Sequence, residues 1–522
     1  MILTLAIRGS LVPRNSTETV CVTGATVGDV GPFELPEGWL WMTLGALKPE
    51  FQNGASSRGD PGGQPITVLR LADIKDRRVS LADTREVPIR RQDIQKYLLE
   101  DGDILITRVN GSADIVGQFN LVEGEPHAIY CDHFIRMRVS RAVLDPKYLA
   151  LFGSSEVIRS RISNLFVSTA GQKTVNQGHI ASLPIAIPPL PEQARIVARV
   201  DELMRLCDAL ESQGRLEAEQ HAHLLGILLC TLTDSSTPDE LATSWQRVAD
   251  HFDQLLDRPE AVDALEQTIL QLAVRGLLVP HDPSDEPASL LLRRIRSDKD
   301  LLVAEGKIKS DKPLASLVDG EAPFEIPTGW NWVRLGAIAG IERGGSPRPI
   351  EAFLTESPDG LNWIKIGDTE KGGKYITTTR EKIRPEGLSK TRKVYPGDFL
   401  LTNSMSFGRP YITQIEGCIH DGWLRISPPS SLNKDYLYLL LSSSFMRVLF
   451  EAAAAGGVVQ NLNADKVRSV PIPLPPLAEQ ARMVARVTEL RRVCADLRQR
   501  LNRSSATQAA LADALIDQAL AA

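Results

Sequence analysis

The side chains in this chain best suited to chemistry are hydrogen-bond donors for binding, and they sit in short glycine-containing runs. Arg108-Val-Asn110-Gly111-Ser112 and Asn403-Ser404-Met-Ser406-Phe-Gly408-Arg409 each follow a short aliphatic run, Ile104 to Thr107 and Phe399 to Thr402. Arg, Asn and Ser suit base edges and phosphate oxygens, and glycine lets a backbone approach a ligand closely. Arg343-Gly-Gly-Ser346-Pro-Arg348, with the looser Asn53-Gly-Ala-Ser56-Ser-Arg58, has glycines flanked by cations and reads as a phosphate-gripping loop. Gln172 and Lys173 suit the same task. The plain alternative for each run is a hairpin with solvated polar residues. Two charged clusters, Arg70, Lys75, Arg77 and Arg78, and Lys390, Arg392 and Lys393, are of a kind more often found on solvated faces. Arg70 is kept as a candidate contact.

Bond-breaking chemistry finds little support. Ile187-Pro-Pro-Leu190 and Leu474-Pro-Pro-Leu477 approach an amino-methyltransferase loop, but the Asn or Asp required before Pro-Pro is missing. Gly171-Gln-Lys173-Thr174 ends like a phosphate-binding loop without the earlier glycine of GxxxxGK[ST]. Pro358-Asp359 could open a nuclease site, yet no acidic-x-Lys triplet follows it, and no GxGxxG fingerprint occurs. The six cysteines have no metal-ligand spacing, which suits a reducing cytoplasm. His221 and His223, two apart, would point to different faces of a helix. The expectation is a chain without catalytic, cofactor or metal residues.

These loops need a frame, and the chain writes that frame twice. Pro32-Phe-Glu-Leu-Pro36, Gly38-Trp39, Trp41 and Leu44-Gly45 return as Pro323-Phe-Glu-Ile-Pro327, Gly329-Trp330, Trp332 and Leu335-Gly336, 291 residues later. Pro188-Pro-Leu190, Glu192-Gln-Ala-Arg195 and Val197-Ala-Arg-Val200 return as Pro475-Pro-Leu477, Glu479-Gln-Ala-Arg482 and Val484-Ala-Arg-Val487, 287 residues later. A repeat this long is a duplicated domain with its connector, far beyond a solenoid unit of ~20–50 residues. Within each copy, Val/Ile/Leu-rich runs read as strands between Gly, Pro, Asn and Asp turns. Helical patches follow at 147–166 and 434–454, so each domain is mixed α and β. The repeated tryptophans read as core anchors.

Each copy then passes through a proline-rich strap into a heptad seam. Ile196, Val200, Leu203, Cys207 and Leu210 form the first, and Met483, Val487, Leu490, Cys494, Leu497 and Leu501 the second. The segment 264–280 is the natural partner helix. The chain's start, Ile2 to Pro13, matches Ile269 to Pro280 at a shift of 267, and its end, Asp513 to Ala522, resembles Asp263 to Leu272 at a shift of 250. The duplication is therefore circular, cut inside one helix. An open reading frame that begins within a helix is expected. About 37 extra residues between Gln213 and Val262, and 24 before the second Gly-Trp segment, read as additional helices.

Net charge is −6, which argues against a generally nucleic-acid-loving protein. Between Trp39 and Leu183 there are 18 Lys and Arg against 16 Asp and Glu; between Trp330 and Val470 there are 18 against 14, leaving −12 on the remainder. The repeated domains are mildly basic and the connectors acidic. No apolar run approaches the ~18 residues of a membrane span.

With its Pro-x-Gly-Trp openings (Pro36/Trp39, Pro327/Trp330), its strands Gly102-Asp103-Ile-Leu105 and Gly397-Asp398-Phe-Leu400, its segments Gln172-Lys173 to Asn176 and Gln460 to Asn463, and the Pro-Pro-Leu-x-Glu-Gln blocks, the chain resembles the specificity subunits of type I restriction-modification systems. The resemblance covers nearly the whole chain. It implies an α+β fold: two mixed α/β target-recognition domains separated by long antiparallel coiled-coil helices in a pseudo-twofold circular repeat. The boundaries would be an N-terminal segment 1–31, target-recognition domains 32–187 and 319–474, a central helical region 188–318 and a C-terminal helical region 475–522. It further implies double-stranded DNA with a bipartite site as ligand, two docked methyltransferase subunits, and restriction subunits held through them. S-adenosylmethionine, ATP and Mg would belong to those partners. A helix of ~25–30 residues spans ~40 Å, close to one ~34 Å turn of DNA, and so could set the gap between half-sites. The enlarged connector departs from the shortest members of the family. A two-headed adaptor for protein partners is the competing reading.

Overall fold

The computed structural model describes the chain except residues 21–30, 56–58, 61, 76, 83, 170, 236, 310–313, 316, 318–319, 371, 404–407, 455–461 and 522. Of the candidate contacts, Arg58, Ser404 and Ser406 lie outside the described residues. The chain divides into two units, Met1–Leu216 with Ala512–Ala522, and Glu217–Leu511.

In the first unit, Leu40–Thr43 pairs antiparallel with the proline strap Pro184–Ile187, placing Trp41 opposite Ala186. A two-stranded ribbon has only edges, so the donors that proline lacks are not missed. A six-stranded sheet runs in the order Glu50–Asn53, Phe134–Arg138, Ile104–Thr107, Phe119–Leu121, Arg78–Val79, Ile74–Lys75. Ile104–Thr107 is buried along its whole length, as expected of an unbroken aliphatic run covered on both faces. A second sheet orders Ala128–Tyr130, Gln64–Leu69 and Arg85–Ile89, and a third orders Val167–Thr169, Gln172–Thr174 and Val109–Asn110.

The second unit repeats this frame. Asn331–Arg334 pairs with Pro471–Leu474, Trp332 opposite Pro473. Its central sheet runs Gly340–Arg343, Trp423–Ser427, Phe399–Thr402, Pro410–Thr413, Tyr375–Ile376, matching the first unit through four strands. A second sheet orders Leu354–Thr355, Glu381–Ile383, Leu361–Ile364, Gly417–Ile419 and Arg392–Val394. Each expected helical patch is broken in two: Pro146–Gly153 with Glu156–Leu165, and Lys434–Ser442 with Ser444–Ala454. At both breaks a buried serine hydroxyl, Ser155 or Ser443, donates to a helix carbonyl three residues back at 2.6 Å. Side chains that bond the local backbone in this way compete with the helix ladder.

The straps lead into helices Leu190–Thr233 and Leu477–Ala521, of 44 and 45 residues. At 1.5 Å per residue each is about 66 Å long, well beyond the ~40 Å expected. In the second unit the seam is covered. Met483, Val487 and Cys494 are buried, and Leu490, Leu497 and Leu501 pack against the core that includes Val262, Leu265 and Ile269 of helix Pro259–Arg275. Arg491 reaches Glu266 at 2.9 Å and Arg498 reaches Asp263 at 2.5 Å, so the two helices run antiparallel. In the first unit the heptad reading overreaches. Ile196 and Val200 pack with Ala6 and Ile7, but Cys207 and Leu210 are exposed, Leu210 by 68%. The counterpart of Pro259–Arg275 here is split between Ile2–Ile7 and the end of helix Leu477–Ala521, which belongs to this unit and whose Leu515 is exposed as well. The extra residues do form helices, Pro238–Asp250, Phe252–Leu255 and Ala288–Ala304.

No single described helix is long and apolar enough to cross a membrane. The bent pair Lys434–Ser442 and Ser444–Ala454 is apolar because Leu437, Leu440, Met446 and Phe450 are fully buried core residues.

Candidate nucleic-acid interface

Matched clamps fix each domain on its long helix. Trp39 Nε1 donates to Glu192 Oε2 at 3.1 Å, and Trp330 Nε1 to Glu479 Oε2 at 2.9 Å. Gln193 and Gln480 donate to the strap carbonyls of Pro188 and Pro475, both at 2.9 Å. The same glutamines accept from the N-cap amides of Asp145 (2.7 Å) and Asn433 (3.3 Å). Arg195 pairs with Glu18 and Arg482 with Asp285, the arginines related by the shift of 287 and the acids by the shift of 267. The tryptophans are core anchors, Trp39 and Trp330 being about 5% exposed. The Glu-Gln motif is thus the socket into which each domain locks.

The Gly-Asp pairs are structural as well. Gly102 and Gly397 turn at φ +86° and +92°, a region that favours glycine. Asp103 then takes Arg138 Nε at 2.7 Å and the Glu100 amide at 2.8 Å. Asp398 takes Arg425 Nε at 2.8 Å and the Tyr395 amide at 2.9 Å. These bonds hold the turn against the central strand whose far end carries the candidate contacts.

At that far end three segments meet in each unit. One leaves the edge strand at Asn53 or Arg343, and one leaves the central strand at Arg108 or Asn403. The third is the turn at Asp132 or Asp421. Arg108 N donates to His133 O at 2.7 Å, as Asn403 N does to Gly422 O at 3.0 Å. Gly54 N donates to Phe134 O at 3.2 Å, as Gly344 N does to Trp423 O at 2.9 Å. A Cβ on Gly54 or Gly344 would lie about 2 Å from the carbonyl oxygen of Cys131 or His420, so only glycine fits. Unlike side chains even reach the same atom: Arg108 donates to Asp132 O at 3.1 Å and Asn403 Nδ2 to Asp421 O at 2.7 Å.

In the first unit the small third sheet joins this rim. Lys173 stands opposite Asn110, and its Nζ donates to Gly111 O at 2.9 Å. Arg108, Asn110, Ser112, Gln172 and Lys173, distant in sequence, therefore share one sheet and its turn. Asn110 Oδ1 also accepts from Ser112 N at 2.9 Å, shaping that turn. Arg70 ends strand Gln64–Leu69 with its guanidinium 3.4 Å from Asp73, closing the turn that follows. In the second unit Ser346 Oγ donates to Asp421 Oδ1 at 2.8 Å, Arg343 Nε donates to Asp421 O at 3.3 Å, and Arg348 lies 3.6 Å from Asp421 Oδ2. Arg343, Ser346, Arg348 and Asn403 thus converge on one aspartate. Arg348 is 80% exposed. Arg409 is exposed before strand Pro410–Thr413, its amide donating to Thr402 Oγ1 at 2.9 Å.

Sequence reasoning passed over the two central aspartates. A signal existed: Asp132-His-Phe134-Ile135 and Asp421-Gly-Trp423-Leu424 lie 289 residues apart, between the two shifts that define the repeat. The Ser346 bond holds the Asp421 carboxyl below the ordinary carboxylate range, while burial lowers the basicity of His420. The rim of the second unit therefore carries a carboxylate at neutral pH. Beside it a cavity of about 740 Å³ is walled by Ser346, Arg348, Ile350, Trp363, Lys365, Glu381 and His420, among others, so the surface next to the aspartate is concave. Among the described residues, Cys131, Asp132 and His133 bring ligand-type atoms within 4.8 Å of one another. Burial holds the Cys131 thiol protonated, which disfavours the thiolate that a metal needs.

The sequence profile of the type I restriction modification DNA specificity domain matches residues 89–220 and 327–504. The chain is 33% identical to the type I restriction enzyme EcoEI specificity subunit of Escherichia coli, over all of this chain and 93% of that protein. It is 32% identical to the EcoAI specificity subunit of Escherichia coli, again over 100% of this chain and 93% of the relative. A chain solved in work on complex assembly and conformational transition of the type I R-M system shares its fold at TM-score 0.56 and 20% identity, covering 94% of this chain and 99% of that one. A duplicated reader frame, its Trp–Glu clamps and two profile matches agree: this chain belongs to the family of type I restriction-modification DNA specificity subunits.

Proposed function

We propose that the chain is the non-catalytic reading subunit of a type I methyltransferase and endonuclease complex. Domains 32–187 and 319–474 each read one half of a bipartite duplex site. The observation that carries this reading is the pair of rims. They share backbone bonds at matched positions, yet place Asn53 where the other has Arg343 and Arg108 where the other has Asn403. A common frame with different donors is what reading two different short words requires, since base identity is read from groove-edge donors and acceptors.

Arg343, Ser346, Arg348, Gln172, Lys173 and Arg409 would bind phosphate; Arg108, Asn110 and Ser112 would face base edges. Asn403, proposed from the sequence as a contact, is only 1% exposed with its amide on Asp421 O and would hold the turn instead. Ser404, Ser406, Arg58 and Arg70 complete the proposed set. The acidic helical regions would dock two methyltransferase subunits, and through them the restriction subunits. S-adenosylmethionine, ATP and Mg would be held by those partners. A protein scaffold has no need of paired rims built from Arg, Asn, Ser and Lys. Co-expression with the cognate methyltransferase followed by methylome sequencing tests the reading. The expected result is a modified motif of two short words with a fixed gap; modification without sequence preference would refute it.

A further inference from the structure

We propose that Asp132 and Asp421 are specificity-determining residues, each accepting a hydrogen bond from the exocyclic amine of a cytosine or adenine in its half-site. The inference rests on the DNA-reading function proposed above.

Both aspartates occupy the centre of their rim, at positions fixed by the same main-chain bonds, while the residues around them differ. Their side chains are 54% and 43% exposed. The bonds shared by the two frames use their main chain and not their carboxylates: Arg108 and Asn403 bind the main-chain oxygens of Asp132 and Asp421, although His420 Nδ1 also lies 3.7 Å from Asp421 Oδ1. Each carboxylate instead is steered by a neighbour. His133 Nδ1 lies 3.2 Å from Asp132 Oδ1, and Ser346 Oγ donates to Asp421 Oδ1 at 2.8 Å. The Arg348 contact at 3.6 Å is too long for a good hydrogen bond and leaves Oδ2 able to accept another donor.

A carboxylate on a phosphate-facing surface is repelled by the backbone, so it needs a donor to compensate. An ionised aspartate can only accept. In the major groove the donors are cytosine N4 and adenine N6 amines, whereas guanine and thymine present acceptors. An aspartate at the rim's centre therefore selects for an amine and rejects O6 and O4, which would face it lone pair to lone pair.

The test uses the full chain with its methyltransferase and compares modified motifs for wild type, Asp132→Asn, Asp421→Asn and Asp421→Glu. Each variant is expected to lose discrimination at one base pair of one half-site, by roughly 5- to 150-fold, and to leave the other half unchanged. The wild-type motif at that pair states whether the amine belongs to cytosine or adenine. Asp421→Glu keeps the charge and moves the carboxylate, so it should lose the same discrimination. Unaltered motifs, or equally tightened binding to every duplex, overturn the inference while leaving the DNA-reading function intact. A wild type without any preferred motif overturns that function and the inference with it.

Discussion

Glu192 and Glu479 fill the same socket, yet their second oxygens meet different neighbours. Glu479 Oε1 lies 2.7 Å from His281 Nδ1, and the His281 ring packs edge-on to Trp330. The shift of 267 puts Arg14 at the matching position, and Glu192 Oε1 has no hydrogen-bond partner among the described residues. Burial raises the Glu192 carboxyl against the opposing pull of Trp39, Arg195 and Arg14. A carboxyl raised in the folded state binds its proton more tightly there than in the unfolded chain. Its contribution to stability therefore falls as pH climbs from the ordinary carboxylate value through the raised one. Glu192→Gln should gain on the wild type in urea melts as pH rises above the ordinary carboxylate range; a constant difference would contradict the assignment. Glu479→Gln, which weakens the His281 pair, should instead lose ~1–2 kcal/mol. At the rim, Arg348→Ala should weaken all duplexes alike and lower the salt slope by about one, as expected for one phosphate contact.

Elements show where a motif's role was legible and where it was not. The Gly-Asp pairs stand out in sequence, but their purpose needs the fold, because Asp398 and Arg425 are 27 residues apart. Arg425 is 6% exposed and its closest acid is Asp398 at 2.8 Å, with Glu342 at 3.4 Å. Asp398→Ala should cost about 3 kcal/mol in denaturant unfolding by leaving that guanidinium half-paired. Asp103→Ala should cost less, since Arg138 is 28% exposed and also pairs with Glu100. Asn176 and Asn463, matched in sequence as part of a motif, are N-caps accepting from His179 N and Lys466 N, both at 2.8 Å. The heptad seam was legible on both long helices, but periodicity announces only a face that seeks cover. Cys494 is buried in the core shared with helix Pro259–Arg275, while Leu210, whose counterpart helix is split between the two ends of the chain, stays exposed.

Across the whole molecule, modularity follows from the frame. The clamps Trp39–Glu192 and Trp330–Glu479 use residues that recur in both copies, while the rim residues differ. Exchanging residues 32–187 for those of a relative should change one half of the modified motif and leave the other as it was. Methylome sequencing reads this directly, and a change in both halves would show that the domains do not read independently.

The sequence by itself determined the circular duplication, the tryptophan anchors, the straps and the seams. These rest on local periodicity and on repeated residues, which a single chain displays without folding. It also marked Arg108, Asn110 and Ser112 as one polar run and Gln172 with Lys173 as another, with nothing to join the two. Only the tertiary structure brought those five onto one small sheet, and only it placed Asp132 and Asp421 between the loops. Strand pairing between distant segments sets that geometry: Ile106 faces Ile135, and Leu401 faces Leu424, so the turns before Phe134 and Trp423 arrive beside Arg108 and Asn403. No spacing along the chain encodes such a meeting, because the register is chosen by burial of both faces of the central strand.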